Sequence, residues 1–190
     1  MLQDQSLDFA SFAKHYFNTL ASSDAVTQNT PLSKMAVFQK RYSPKSCQSN
    51  SQAATKYIDQ NKDIFKCYDT DGVENKEKYG DGSEGFVYLD YAGVGFSTAG
   101  REYSTDGGFY LFLDAANLTK AGELLQSKIS NGWVDPYTNY IGLITNLYQP
   151  NFELLLVFTT IYDYRYGYAI LVDRDSNTVQ YIHAIVGDQC

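Results

Sequence analysis

The sequence predicts an α+β fold in which an antiparallel β-sheet of about five to six strands packs with two to three helices. Two observations support this class. The predicted elements follow the order helix, insertion, two strands, helix and four strands, and the last strands are joined by short turns typical of a meander. Hydrophobic residues make up 44% of the 190 residues, and 17 tyrosines and 11 phenylalanines suit half-buried strand faces. This length and apolar content fit a single domain over residues 1–190.

The first half of the chain predicts a helix followed by a long insertion. Apolar residues recur at helical spacing over 8–20 (DFASFAKHYFNTL), which is typical of a helix with one apolar face. A loop is expected at 21–31 and a short amphipathic stretch at 31–42. We expect a loop-rich protrusion over about 35–85, with one or two helical turns within 52–66 and a charged, Gly-rich exposed loop at 69–85.

The second half predicts the sheet and one well-defined helix. Helical spacing over 117–130 places Leu118, Ala121, Leu125 and Ile129 on one apolar stripe, and Gly132 is the natural stop signal. Strands are expected at 86–91 and 109–114, separated by a turn-rich segment, and after the helix at 140–148, 152–162, 166–173 and 178–186.

Charge and hydropathy exclude several classes of function. With 22 acidic and 15 basic residues the formal net charge is −7, which disfavours binding to nucleic acid or to an anionic lipid surface. The longest apolar stretch, 152–162, is far shorter than the roughly 20 residues of a membrane helix, and the polar N-terminus does not resemble a signal peptide. We expect a soluble chain, although a domain cut from a larger membrane protein would also lack these segments.

The three cysteines leave the redox compartment open. Cys47 and Cys67 flank a polar segment and could pair in an oxidising compartment, or both could be free thiols in a cytosolic domain. The sequon at Asn117 favours the oxidising alternative, because N-glycosylation occurs on secreted chains. The two histidines lie near opposite ends and no Cys-x-x-Cys pair exists, so a zinc site is not expected.

No motif in the sequence predicts catalysis. Residues 80–85 (GDGSEG) match a dinucleotide-binding pattern, but the expected strand and helix do not flank them, and residues 95–100 miss the spacing of a nucleophile elbow. The turns at 69–72 and 173–177 lack ligands of a calcium loop; weak surface Ca²⁺ binding by one of them is the alternative to a plain solvated turn. We therefore predict a protein that is not an enzyme and needs no cofactor.

A series of features between 103 and 158 resembles a known family. In order, they are an aromatic strand at 109–114, a helix at 118–129, a turn with Trp133 and Asp135, and Tyr148, Asn151 and Phe152 before a long apolar strand. The same series is found in the extracytosolic domain that polycystin channels, a branch of the transient-receptor-potential superfamily, carry between their first two transmembrane helices. A mucolipin-type luminal domain is the nearest alternative within that superfamily.

Matches outside this region extend the resemblance over nearly the whole chain. Cys67-Tyr68-Asp69 with Cys47 looks like the family's protrusion, and this similarity implies a Cys47–Cys67 disulfide. The segment 8–9 is similar to the one after the first membrane helix, and 178–185 to the final strand before the second. One departure is Asn139, which stands where the family usually has a basic residue, so the salt bridge made there is not expected here.

The resemblance implies a function without catalysis. Such a domain would belong to a homotetrameric cation channel, contacting the same domain of neighbouring subunits and the transmembrane body, and covering and gating the pore mouth. It would be a glycoprotein on the extracytosolic side of a ciliary or flagellar, plasma or endoplasmic reticulum membrane, without a direct small-molecule substrate. The alternatives are a secreted or periplasmic α+β ligand-binding module and an uncharacterised hydrolase.

Overall fold

The structure of the chain is a computed structural model. It describes residues 30–31, 34–62, 65–69, 74–80, 85–93, 95–98, 101–149, 154–165 and 169–173. The predicted helix at 8–20 and the predicted strand at 178–186 lie outside the described residues. So do the family-motif residues Asn151 and Phe152.

Within the described residues, a six-stranded antiparallel sheet with two helices confirms the predicted α+β class. The elements are β1 Thr30–Pro31, β2 Met35–Arg41, β3 Pro44–Lys45, α1 Gln52–Gln60, β4 Cys67–Tyr68, β5 Gly95–Thr98, β6 Arg101–Ser104, β7 Phe109–Leu113, α2 Leu118–Ser130, β8 Thr138–Gln149, β9 Leu154–Arg165 and β10 Ala169–Asp173. In the main sheet the strands run in the spatial order β10-β9-β8-β2-β7, and the short β1 also pairs with β8.

Helix α2 covers one face of the sheet with the stripe that the sequence predicts. Ala121, Leu125 and Ile129 are buried, and Leu118 packs against the same core in a half-buried position. The helix ends at Ser130 and is followed, after its C-cap Asn131, by Gly132, whose φ of +81° is a conformation that glycine adopts at little cost. The main core therefore forms between α2 and the inward faces of β2, β7, β8 and β9.

The opposite face carries a second, mostly aromatic core. Phe38, Tyr103, Tyr140 and Ile161 are buried there. Tyr103 belongs to the β5–β6 hairpin, which occupies a segment predicted to be only turn-rich. The strand predicted at 86–91 is wrong, because this segment makes only isolated bridges at Phe86 and Leu89.

Strand β2 corrects the predicted boundary of the protrusion. Met35–Arg41 lies between β7 and β8 in the main sheet and is almost completely buried, so the protrusion begins after Arg41. The exposed loop predicted at 69–85 is also corrected, since Tyr79 packs against the main core and the half-buried Glu74 forms an ion pair with Lys40. Covering both faces of β2 in this way removes the apolar–polar alternation by which a strand is usually identified.

Candidate functional site

A disulfide between Cys47 and Cys67 closes the protrusion, as the family resemblance implies. The two Cα atoms are 5.2 Å apart and the bridge spans 20 residues of sequence. The short strands β3 and β4 pair at the same point, with Lys45 opposite Cys67. Because the covalent bond and the ladder close one loop together, the protrusion leaves the sheet through a narrow, fixed base.

The protrusion exposes an aromatic pair, Tyr57 and Phe65, which we call its tip. Helix α1 is capped by Ser51, whose Oγ accepts a hydrogen bond from the N–H of Ala54, and none of its side chains is buried. Tyr57, with 60% of its surface exposed, meets Phe65, with 38% exposed, in an edge-on contact at 5.8 Å between ring centroids. Two adjacent exposed aromatic rings are typical of a surface that contacts another molecule.

The base of the protrusion is attached to the domain by backbone and ring contacts. The N–H of Tyr42 donates to the carbonyl of Tyr137 at 2.8 Å, and the N–H of Asp69 donates to the carbonyl of Ser43 at 2.9 Å. The rings of Tyr42 and Tyr68 stack at 4.5 Å. Together these contacts connect both strands of the protrusion to each other and to the turn that precedes β8.

That turn contains Trp133 and Asp135 and is part of a buried polar cluster. Trp133 is fully buried, and its carbonyl accepts hydrogen bonds from Gln39 Nε2 at 2.8 Å and from the Tyr79 hydroxyl at 2.6 Å. Gln39 Nε2 also donates to Thr138 Oγ1 at 2.6 Å. Burial raises the pKa of Tyr79 well above its usual range, so this hydroxyl stays a donor.

Asp135 forms a two-pronged ion pair with Arg41 at the end of β2. Arg41 Nη1 and Nη2 donate to Asp135 Oδ1 and Oδ2, each at 2.7 Å, and the guanidinium lies 3.5 Å from the centre of the Tyr79 ring. The side chain of Arg41 is 3% exposed and that of Asp135 is 25% exposed. The absence of a basic residue at Asn139 therefore does not leave the turn without a salt bridge, because Arg41 supplies the cation from another strand.

A second buried charge lies on the other face of β2. Lys40 Nζ is 3.1 Å from both carboxylate oxygens of Glu74 and also donates to the carbonyl of Asp106. The Tyr88 hydroxyl donates to Glu74 Oε2 at 3.1 Å, and burial together with Glu74 raises the pKa of Tyr88. These contacts attach the 74–80 and 85–93 segments to the sheet.

An open groove of about 380 Å³ lies between the base of the protrusion and the end of α2. Its lining combines Arg41, Asp135 and Tyr79 with the half-buried Asn75 and with three exposed polar residues, namely Glu77, Lys78 and Asn131. The hydrogen-bonding groups at the bottom of the groove already bind one another. Solvent-exposed amides and charges at the rim are thus the groups most available to a ligand.

The remaining predicted site residues are not part of this cluster. Tyr148 lies near the far end of β8, paired with Thr30, roughly 30 Å along the strand from Thr138. Asn117 lies at the start of α2, whereas Trp133 follows its end. The structure therefore brings Trp133, Asp135 and the Cys47–Cys67 protrusion together and leaves Tyr148 and Asn117 apart from them.

The sequence matches no protein-family model and no curated protein. The two helices that the structure describes, of 9 and 13 residues, are too short and too polar to cross a membrane. Across the described ranges, His, Cys, Asp and Glu side chains form no group of three or more that could hold a metal ion. Of the two candidate calcium turns, Asp69 forms an ion pair with Lys45 at 3.7 Å, and most of residues 173–177 lie outside these ranges.

Proposed function

We propose that this chain is the non-catalytic extracytosolic domain of a polycystin-like homotetrameric cation channel, where it mediates subunit assembly and covers the pore mouth. The observation that carries this proposal is the protrusion closed by Cys47 and Cys67, with exposed aromatic rings at its tip. The order of motifs along the chain, which resembles that of polycystin domains, supports the choice of family in this proposal.

The disulfide supports an extracytosolic location. Disulfides persist in oxidising compartments and are rare in the cytosol, where thiols are kept reduced. A bridge across 20 residues stabilises the folded state by about 3 kcal/mol in the chain-entropy model, so the protrusion depends on it substantially. A domain whose protrusion is closed by a disulfide is best suited to the lumen or the cell exterior.

The tip of the protrusion is suited to contact a neighbouring subunit. Its aromatic rings belong to Tyr57 and Phe65, and tyrosine and phenylalanine are enriched at protein interfaces. Between Cys47 and Cys67 three lysines and two aspartates give a net charge of +1, which leaves −8 for the rest of the chain. A weakly basic protrusion would therefore meet an acidic surface on the next copy, an arrangement that favours association.

The acidic body is also suited to a position at a cation pore. Four copies, each with a formal net charge of −7, would attract cations to the outer mouth. Salt screens such a field over about 8–10 Å, so the effect is confined to charges near the conduction path. This domain would then raise the local cation concentration as well as hold the ring together.

The test uses paired variants in the full-length channel. Cys47→Ser and Tyr57→Ser should each reduce the fraction of tetramer and the current, because one opens the protrusion and the other removes a ring from its tip. Tyr91→Ser is the matched control, since Tyr91 is a similarly exposed tyrosine (47%) outside the protrusion. Unchanged assembly and current in both protrusion variants would refute the proposal.

A secreted or periplasmic ligand-binding module is the second candidate, and the groove beside Arg41 is the observation that favours it. A volume of about 380 Å³ is within the range of small-molecule sites, and the mixture of amides, charges and Tyr137 suits a small polar ligand such as a sugar. The two candidates differ in the parent gene, because only the channel domain is flanked by membrane helices. A parent without such helices, together with saturable sugar binding by the chain, would favour the module.

A further inference from the structure

We propose that Asn131 is a site of spontaneous deamidation, and that the turn after helix α2 protects it from this reaction in the folded chain. Asn131-Gly132 is the only Asn-Gly pair in the 190 residues. An asparagine deamidates fastest when glycine follows it, because no side chain shields the nitrogen of the next residue. Both residues are exposed. The reaction takes place in any compartment, so this inference does not rest on the proposed function.

Deamidation takes place in two steps and needs only a base and water. The base removes the proton from the nitrogen of Gly132, and this nitrogen forms a bond to the side-chain carbon Cγ of Asn131. The bond from Cγ to Nδ2 breaks, and ammonia leaves with the proton that the base returns. Water then opens the five-membered imide at one of its two carbonyl carbons. The product is an aspartate or an isoaspartate, whose main chain runs through the side-chain carbon and is one carbon longer.

The hydrogen bonds at the end of α2 oppose the first step. The N–H of Gly132 donates to the carbonyl of Ile129 at 3.0 Å, so the proton that the base must remove is already engaged. The N–H of Trp133 donates to the carbonyl of Lys128 at 3.0 Å, which completes the usual pair of bonds at a helix end closed by glycine. Asn131, with a φ of −88° and a ψ of 16°, continues the helical turn. Closing the imide ring requires a rotation about this ψ, which would break both bonds.

The protecting turn is attached to the buried cluster at the base of the protrusion. Trp133 is fully buried, and Asp135, two residues further on, forms the ion pair with Arg41. An opening that frees the nitrogen of Gly132 must therefore also displace Trp133. The rate of deamidation in the folded chain should follow the free energy of this local opening. Deamidation of Asn131 thus records how often the turn at the base of the protrusion opens.

The product places a negative charge where the turn does not stabilise it. A carboxylate in place of the Asn131 amide would lie at the C-terminal end of α2, where the free carbonyl groups already carry partial negative charge. Asn131 also lines the groove that contains Asp135, so the new charge would add to an existing one. The longer main chain of an isoaspartate would in addition displace the N–H of Gly132 from its acceptor. Deamidation should therefore weaken the turn and favour further opening.

The test follows the amide of Asn131 by peptide mapping, with an isoaspartate-specific methyltransferase as a second readout. At mildly alkaline pH, the folded wild type should deamidate at least about tenfold more slowly than a synthetic peptide of residues 126–136. Asp135→Asn removes the buried ion pair and should deamidate at least about tenfold faster than the wild type. Asp59→Asn, which breaks an exposed ion pair, is the matched control and should deamidate at the wild-type rate.

Each part of the proposal has its own contrary outcome. An unmodified Asn131 in the peptide would overturn the site, and equal rates in the peptide and the folded wild type would overturn its protection. A folded Asp135→Asn protein that deamidates no faster than Asp59→Asn would overturn the link to the ion pair. If Asp135→Asn does not fold, the wild type in increasing urea replaces it, and its rate should rise toward that of the peptide; a constant rate would overturn the link.

The effect of the product is tested with two variants of Asn131. Asn131→Asp carries the charge of one product, and Asn131→Gln keeps a neutral amide at the same position. Asn131→Asp should unfold at a lower urea concentration than Asn131→Gln, because only the aspartate adds a charge at the negative end of the helix. An equal or higher midpoint for Asn131→Asp would overturn the weakening of the turn.

Discussion

Replacing Asp135 with asparagine tests whether the turn beside the protrusion depends on its ion pair. The substitution keeps the size of the side chain and removes its charge. Arg41, which is 3% exposed, would then face a neutral amide in place of the two carboxylate oxygens that now lie 2.7 Å from its nitrogens. A buried guanidinium without a counter-ion destabilises the folded state, because it has lost its hydration and no ion pair compensates for that loss.

The expected cost is about 3 kcal/mol of unfolding free energy. Breaking a buried ion pair by removing one partner costs about 3–5 kcal/mol. The lower end applies because Asp135 is a quarter exposed and water screens part of the interaction. The contact of Arg41 with the Tyr79 ring remains in the variant and limits the loss further.

Urea denaturation of four proteins measures the effect: the wild type, Asp135→Asn, Arg41→Met and the double variant. The double variant should cost less than the sum of the single variants, with a coupling of about 1–3 kcal/mol. Asp59→Asn is the matched control, because it breaks an exposed ion pair with Lys62 and should change the unfolding free energy by no more than about 0.5 kcal/mol. If Asp135→Asn lowered the unfolding free energy by no more than Asp59→Asn does, the reasoning would be refuted.

Three further predictions concern the protrusion, the sheet and the response to alkali. Cys47→Ser should lower the unfolding free energy by about 3 kcal/mol in urea titrations, since it opens a loop of 20 residues; a loss below about 1 kcal/mol would contradict this. Gly142→Ala would push a Cβ into the ring of Phe38 and should cost about 1–3 kcal/mol, whereas Gly95→Ala, with no atom closer than 3.8 Å, should change stability by about 0.5 kcal/mol or less. Burial and Asp106 raise the pKa of Tyr110 from 10.0 to about 12, so its contribution to stability is complete below pH 10 and is lost as the pH rises toward 12. Tyr110→Phe should therefore reduce the fall in unfolding free energy over that pH range, and an identical fall in both proteins would count against it.

Local sequence patterns predict helix α2 and the strands β7, β8 and β9. Helix α2 has a clear apolar stripe, an asparagine cap and a glycine stop, and its predicted bounds agree with the structure. The strands β7, β8 and β9 also lie where aromatic and β-branched residues predict them. In each of these elements the residues that decide the structure are close together in sequence.

The elements that were not predicted from the sequence depend on contacts between residues that are far apart along the chain. Strand β2 is covered on both faces, so it has no alternation, and it ends in Lys40 and Arg41, which are unusual in a buried strand. Both charges are accommodated by partners far along the chain, Glu74 and Asp135. The hairpin β5–β6 is rich in turn-forming residues and is held to the sheet by Tyr103, whose hydroxyl donates to the buried Asp163.

The candidate site was predictable only in part for the same reason. Trp133 and Asp135 were found through the family resemblance, and the structure joins them to the Cys47–Cys67 protrusion. Arg41 and Gln39 were missed, because each binds the turn across more than 90 residues of sequence. A pair of basic residues closing an apolar strand is the only local signal that could have indicated them.

Neighbouring residues at the end of β2 connect the Arg41–Asp135 ion pair to the base of the protrusion. Arg41 binds Asp135, and Tyr42, the next residue, donates to Tyr137 and stacks on Tyr68 at the base of the protrusion. The direction in which the protrusion leaves the domain is therefore set by the same turn that contains the ion pair. If the tip contacts a neighbouring subunit, Asp135→Asn should weaken assembly although Asp135 lies outside the tip, and Asp59→Asn, on the protrusion helix itself, should weaken it less. A larger assembly defect in Asp135→Asn than in Asp59→Asn would show that the buried ion pair at the base of the protrusion affects the contact between subunits.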